Sequence, residues 1–301
     1  QSDHYVALKI TNSSFDNSKA AFEELEISKC IAAMNPTNEA STCIRLVQDH
    51  FFIESPQAKK HLVLVFEPLR EPIWMLDRRL RRKGIPLPLI KVFLKIMLKG
   101  IAIVHSCGIV HTDIKADNFL LAFEERSVID EYVRQQQSDH AICEDIDGRV
   151  IYETRGDFGP LKKGVGRLKL SDFGSARMLD SLNLCYDDIQ PQGLEAPEVL
   201  FKAGWNRSAD IWNLGVVVRN FGCAALDRPA DHYSNSYGRR DPDTGIYTRE
   251  LHAAQLHKLL GPPPKHFLQR AQKEIIDDLY TPDGMCMLVY ESTAGRFCID
   301  L

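Results

Sequence analysis

HTDIKADNFLL, residues 111–121, is the stretch on which the reading of this chain turns. Asp113 is followed by Lys115 two residues later and by Asn118 five later, and apolar residues close the run. A carboxylate, an ammonium and an amide on one short loop can be surface decoration, so the neighbouring segments decide. Upstream, residues 87–105 carry Leu89, Val92, Phe93, Ile96, Ile103 and Val104 at helical spacing and end near Gly108. Downstream, RLKLSDFGSA delivers Asp172 from a short run in which Leu168 and Leu170 alternate as in a buried strand. The tripeptide DFG also occurs at residues 157–159, but there it sits in polar sequence before Pro160, as expected of a loop. Asp172 is therefore the candidate second carboxylate and Asp157 a structural loop residue. Asp172 also precedes Glu198 of APEVL by 26 residues.

Working outward, the chain opens in strand-like YVALKI, which carries Lys9. Residues 18–33 read as a helix with Phe22, Leu25 and Ile31 among its apolar positions. Within FEELEI, Glu24 shares a helical face with Ile27 and Ile31, whereas Glu23 and Glu26 face solvent. Two more strands are expected at about 43–53 and 61–67, and helices dominate from about 208 onward. In SADIWNLG, Asp210 lies early in a helix with Trp212, Leu214 and Val217; a helix N-cap is its ordinary alternative role. A strand-rich start before a helix-rich bulk predicts an α+β fold of two unequal lobes. Residues 122–166 are mostly polar and read as a long insert, and 229–246 as an exposed turn-rich loop.

Strand lysine, acidic helix, HTDIKADN, SDFG, APE and SADIWNLG occur in the order found in eukaryotic protein kinases, and residues 5 to about 222 resemble that superfamily. The resemblance implies a bilobal kinase-like fold: residues 1–67 as a partial, β-rich small lobe, 68–284 as a larger, mainly helical lobe containing the insert, and 285–301 as a divergent tail. It implies ATP and Mg2+ as cofactors and a protein hydroxyl as acceptor. Asp113 would accept or orient the hydroxyl proton, and Lys115 would offset charge on the moving phosphoryl group. Asn118 and Asp172 would hold the metal, Lys9 the α/β-phosphates, and Glu24 would pair with Lys9. In HLVLVFEPL, Phe66 would guard the back pocket, and Glu67 and Leu69 would present backbone groups to the adenine edge. Lys115 favours the Ser/Thr class over tyrosine. Thr112, the position of the insert and LHKLLGPPPKHFL at 256–268 are similar to the SR-protein kinases, fungal-type members included, whose acceptors are serines in Arg/Ser-rich proteins.

Composition narrows the alternatives. The formal charge of −4 gives no ground for direct nucleic-acid binding, and eight scattered cysteines without a Cys-x-x-Cys pair read as reduced thiols. The start has no signal-peptide pattern, and Lys91, Lys95 and Lys99 interrupt the most apolar stretch, so no membrane span is expected. A monomeric protein of the cytoplasm or nucleus is the expectation.

Departures from the kinase pattern keep a second function in view. Only five residues precede Val6 and none is glycine, and MCMLVYESTAGRFCIDL does not resemble closing helices, so a domain incomplete at both ends is expected. A catalytically impaired relative acting as a binding or scaffold module is the alternative. A small-molecule phosphotransferase is disfavoured by APEVL and SADIWNLG. Thr112 replaces the arginine that reads an activation-segment phosphate, so switching by such a phosphate is expected to be absent. Glu198 has no identifiable arginine partner and is expected to be solvated, with the activation segment loosely held.

Overall fold

The computed structural model describes residues 5–12, 15–34, 39–56, 58–80, 84–139, 143–179, 183–224, 244 and 246–281. Most of the expected 229–246 loop and all of the 285–301 tail lie outside them. The elements run β1 (Ala7–Ile10), α1 (Phe15–Met34), β2 (Asp49–Glu54), β3 (Lys60–Phe66), α2 (Leu76–Arg79), α3 (Leu87–Ser106), β4 (Ile109–Val110), β5 (Phe119–Leu121) and α4 (Arg126–Ser138). They continue β6 (Cys143–Ile146), β7 (Arg149–Tyr152), β8 (Leu168–Leu170), β9 (Arg177–Met178), α5 (Pro197–Leu200), α6 (Ser208–Ala224), α7 (Arg249–Leu260), α8 (Lys265–Leu268) and α9 (Lys273–Leu279). This is the expected α+β composition. The chain divides into two compact units, one of residues 1–107 and 116–174, the other of 108–115 and 175–301.

In the first unit, β3 is the middle strand of an antiparallel sheet ordered β1-β3-β2. Its residues Leu62 to Phe66 are all buried, so the run is continuously apolar rather than alternating. Side chains alternate along each strand, and the register pairs Lys9 with Leu64 and Ala7 with Phe66. Leu62, Leu64 and Phe66 pack on Ala21 and Leu25 of α1, so Lys9 lies on the sheet face that α1 covers. The buried positions of α1 include Ala21, Glu24, Leu25, Ser28 and Ile31, a helical stripe in which two members are polar.

Helix α3 buries Phe93, Met97, Gly100, Ile101 and Val104. A β-carbon at Gly100 would sit 3.4 Å from the Cys43 carbonyl, so glycine permits the close approach there. The 43–45 segment in turn joins β8: Leu170 N–H donates to Cys43 O and Arg45 N–H to Leu170 O, each at 2.8 Å. Strand β8 pairs antiparallel with β5.

The polar insert folds. Helix α4 buries Val128 and Ile129, and β6 and β7 form a hairpin. Phe158 packs between Phe123 (ring centroids 5.1 Å apart) and Tyr132 (4.6 Å). Arg70, wholly buried, donates through Nη1 to both Glu124 oxygens (2.7 and 2.9 Å) and through Nη2 to Gly159 O (2.7 Å). Glu71 lies between Arg70 and Arg79, and Arg79 reaches Asp157 at 2.8 Å. The DFG copy at 157–159 is thus a fastening of the insert: Asp157 is bonded by the Gly159 N–H, Phe158 is an aromatic peg, and the Gly159 carbonyl binds Arg70.

In the second unit, β4 pairs with β9 and two cores form. One gathers Val110, Ile189, Ala196, Val199, Trp205 and Ala209; the other joins Leu200 and Phe201 of α5 and its C-cap to Ala253, Leu256, Ile275 and Leu279. Helix α7 is N-capped by Thr248, whose hydroxyl oxygen accepts from Leu251 N–H. The activation segment is held more firmly than expected. Gln190 accepts from Ala196 N–H (2.7 Å) and donates to Ala209 O (2.8 Å), and Asn213 donates to Leu194 O (2.7 Å). Glu198, expected to be solvated, is half-buried and accepts from the Ser208 hydroxyl. Side-chain amides from the same unit hold the segment, and the Ser208 hydroxyl meets Glu198.

Candidate active site

The period of β1 and the stripe of α1 bring two predicted residues together. Lys9 Nζ donates to Glu24 Oε2 at 2.8 Å and to Asp172 Oδ1 at 2.9 Å. Glu24 is 3% exposed, whereas Lys9 and Asp172 are roughly half open to solvent. The three groups converge beside Gly174, where a β-carbon would lie 3.4–3.7 Å from all of them. Burial alone would lower the Lys9 pKa, but Glu24 and Asp172 outweigh it and hold the ammonium above its ordinary value. Burial pushes the Glu24 carboxyl up, against the pull of Lys9.

The β5–β8 ladder sets the ends from which Asn118 and Asp172 project. Phe119 pairs with Leu170, and Ser171 closes the ladder by donating through N–H (2.8 Å) and Oγ (3.0 Å) to Asn118 O. Asn118 is 6% exposed. Asp172 adopts φ 65°, in the left-handed region that a non-glycine residue seldom occupies. The turn thus aims its carboxylate at Lys9 at a conformational cost, a combination typical of functional sites.

Asp113 and Lys115 belong to the second unit, with Lys115 Nζ 2.9 Å from Asp113 Oδ2. Asp210, wholly buried, accepts from the backbone N–H of His111 and of Thr112, both at 2.8 Å. Asp210 thus holds the backbone of the 111–112 loop and, lying inside α6, is not its N-cap. Thr112 has φ 66°, and its hydroxyl donates to Ser175 O at 2.7 Å.

Glu67 and Leu69 follow β3 in the first unit. The Glu67 carboxylate pairs with Lys169, and its carbonyl accepts from Arg45 Nε (3.1 Å) and Nη2 (2.8 Å). The Arg45 guanidinium also lies over the Phe66 ring, 4.8 Å from its centroid. The sequence reading missed Arg45 and Lys169. A lone arginine inside the strand-like run CIRLV was the available signal. Among the described residues no cluster of three or more His, Cys, Asp or Glu side chains could hold a metal, and no helix is long and apolar enough to cross a membrane. Cys30, Cys43, Cys107, Cys143 and Cys185 are free thiols.

The family model described as protein kinase domain matches residues 1–240. A serine/threonine protein kinase of Aspergillus fumigatus is 27% identical over 268 residues, covering 89% of this chain and 61% of the relative. The serine/threonine-protein kinase SRPK of Physarum polycephalum is 27% identical over 293 residues, covering 89% and 63%. Human dual specificity protein kinase CLK1 is 23% identical over 275 residues, covering 89% and 46%. The chain spans about three fifths of the length of the first two relatives. With four fifths of its length matched by one family model and the motifs in their order, this chain belongs to the protein kinase domain family.

Proposed function

We propose that this chain carries a serine/threonine protein kinase activity that transfers the γ-phosphate of ATP to a protein hydroxyl with Mg2+. The observation that carries the reading is the meeting of Lys9, buried Glu24 and Asp172 beside the β5–β8 ladder that positions Asn118. Glu24 holds Lys9 ready for the α/β-phosphates, and Lys9 exchanges its contact with Asp172 for phosphate oxygens when nucleotide enters. Asn118 and Asp172 offer hard oxygen donors, few enough to suit a Mg2+ that keeps waters and takes phosphate oxygens. Held by Asn118 and Asp172, such an ion would supply charge neutralisation at the phosphates. Glu67 and Leu69 present backbone groups to the purine edge. Asp113 orients the acceptor hydroxyl and takes its proton, and Lys115 compensates charge on the phosphoryl group.

An Arg/Ser-rich acceptor is the finer reading. In the second unit a cavity of about 550 Å3 is lined by Asp188, Glu195 and Glu250 with Arg249 as its basic member. Lys202 neutralises Asp188 and Arg249 offsets one of the other two carboxylates, so the lining keeps one net negative charge to meet a basic peptide. The likeness to the Physarum serine/threonine-protein kinase SRPK and the motif resemblance support this reading. We further take the protein to act as a monomer in cytoplasm or nucleus, with 1–67 and 68–284 as its functional lobes.

The test is calorimetry of Mg2+-nucleotide binding, with an Arg/Ser peptide phosphorylation assay beside it. Mg2+-dependent binding that is lost in Asp172→Ala, together with serine phosphorylation lost in Asp113→Ala, is expected. Binding without phosphorylation of any peptide would favour the scaffold reading, and no binding at millimolar nucleotide would overturn the kinase reading.

A further inference from the structure

In the second unit one turn of a helix holds two loops. Asp210 of α6 accepts from the His111 and Thr112 N–H groups, and one turn on Asn213 donates to Leu194 O at 2.7 Å. Both residues are fully buried. The loop that carries Asp113 and the segment that carries Glu195 are therefore kept at a fixed offset. Beside that segment lies the cavity of about 550 Å3, whose wall includes Glu195 and the buried apolar residues Ile189, Val199 and Leu200. An apolar sleeve with a carboxylate fits an aliphatic stem that ends in a cation. Glu195 keeps 17% of its side chain exposed and is backed by wholly buried His252, whose Nδ1 lies 3.6 Å from Oε2. The Tyr247 hydroxyl donates to Glu195 Oε1 at 3.4 Å and lies 3.1 Å from His252 Nδ1. With the Nδ1–H tautomer, the imidazole donates to the tyrosine oxygen and leaves the phenolic hydrogen for Glu195. A carboxylate has about four lone-pair sites, so it can hold the tyrosine hydroxyl and a cationic side chain together.

We propose that Glu195, positioned by Tyr247 and His252, determines specificity for a basic residue close to the acceptor serine. That role rests on the reading of this cavity as the seat of an Arg/Ser-rich acceptor. Of the other acidic groups on the lining, Asp188 is neutralised by Lys202, and Glu250 is exposed and follows Arg249 in sequence. An ion pair with an exposed carboxylate is weak, because water and salt screen it. Glu195 is mostly shielded and held by an internal hydroxyl, so its charge-assisted bond to a guanidinium is the stronger one. A peptide with a neutral residue at that place covers the carboxylate without replacing the water it loses, and binding weakens.

The experiment is steady-state phosphorylation of an Arg/Ser peptide and of the same peptide with citrulline, a neutral isostere, at every arginine. The enzymes are the wild-type chain, Glu195→Gln, Glu250→Gln and Tyr247→Phe. Wild type is expected to favour arginine about ten- to a hundredfold in kcat/KM, expressed in KM, the range of one hydrogen bond to a charged group. Glu195→Gln should remove most of that preference, and Glu250→Gln should keep most of it. A preference retained in Glu195→Gln, or lost equally in Glu250→Gln, overturns the role of Glu195 while the Arg/Ser reading stands. Equal wild-type kcat/KM for the two peptides overturns both, and this comparison requires no variant to fold; serine phosphorylation itself still supports the kinase reading. Should Glu195→Gln fail to fold, Tyr247→Phe decides: a severalfold smaller preference supports the proposal, and an unchanged one overturns it. Phosphorylation of neither peptide by wild type overturns the proposal together with the Arg/Ser reading.

Discussion

At the scale of single residues, the chemistry of the first unit depends on one buried carboxylate. Glu24 is nearly inaccessible, and its compensation comes from an ammonium that itself stays 43% exposed. Lys9→Met would leave Glu24 buried without a partner. Because solvent reaches Lys9, the loss is expected at about 1–3 kcal/mol rather than the full cost of a dry broken pair. Urea unfolding would measure it, and Lys9→Met with Glu24→Leu should recover part of the loss, since an apolar pair removes the stranded charge. A double variant no better than the single would show that Lys9 stabilises by something other than neutralising Glu24. Thr112 carries a second expectation. Its hydroxyl is engaged by Ser175 O, and it is 1% exposed, so neither charge nor reach is available for an activation-segment phosphate. Phosphatase treatment should leave peptide phosphorylation unchanged, and a severalfold fall would refute this.

At the scale of elements, the insert shows how a polar segment becomes part of a fold. Burial alone would raise the Glu124 carboxyl; the backbone N–H groups of Lys162 and Glu124 and the Arg70 guanidinium together hold it below its ordinary value. A carboxylate depressed in the folded state adds stability that is present above its unfolded pKa, about 4.3, and lost as pH falls through the folded value. Glu124→Gln should therefore show a flatter loss of stability between pH 6 and pH 3 than the wild type. Equal acid limbs in urea titrations would place the sensitivity elsewhere. Arg70→Met leaves the buried Glu124 side chain without its guanidinium, while Glu71 keeps Arg79, and should cost about 3 kcal/mol and expose the β6–β7 hairpin to limited proteolysis. The sequence made this segment's polarity visible but not its docking. Its anchors lie far apart in the chain, Arg70 to Glu124 and Arg70 to Gly159, and no periodicity links them. Helix α3 was legible because Phe93 and Val104 lie on one apolar stripe. The stripe of α1 was blurred because Glu24 and Ser28 occupy its buried face, where the Ser28 hydroxyl accepts from Val47 N–H. Motif order placed Lys9, Asp113, Asn118 and Asp172 along the chain. It did not reveal Arg45, which donates to a carbonyl 22 residues away.

At the scale of the whole molecule, the proposed nucleotide and metal ligands, Lys9, Glu24, Glu67, Leu69, Asn118 and Asp172, all fall within the first compact unit. The proposed acceptor residues Asp113 and Lys115, and the acidic cavity, fall within the second. Ligands to one unit stabilise by mass action, so saturating nucleotide reports on the first unit before any peptide is added. At a hundred times its Kd, Mg2+-nucleotide should add about 2.7 kcal/mol to the stability of the folded form that binds it. For a domain of this size that corresponds to a Tm increase of about 5–10 °C. Hydrogen exchange should slow in β1, α1, β5 and β8, where the ligands sit, with little change in α7–α9, whose core of Leu256, Ile275 and Leu279 contains none of them. Asp172→Ala should abolish both effects while leaving the apo Tm within a few degrees of wild type, because its half-exposed carboxylate contributes little to packing. An equal Tm shift in Asp172→Ala would mean that nucleotide binds without the metal ligand, and uniform slowing across α7–α9 would mean that binding is not confined to the first unit.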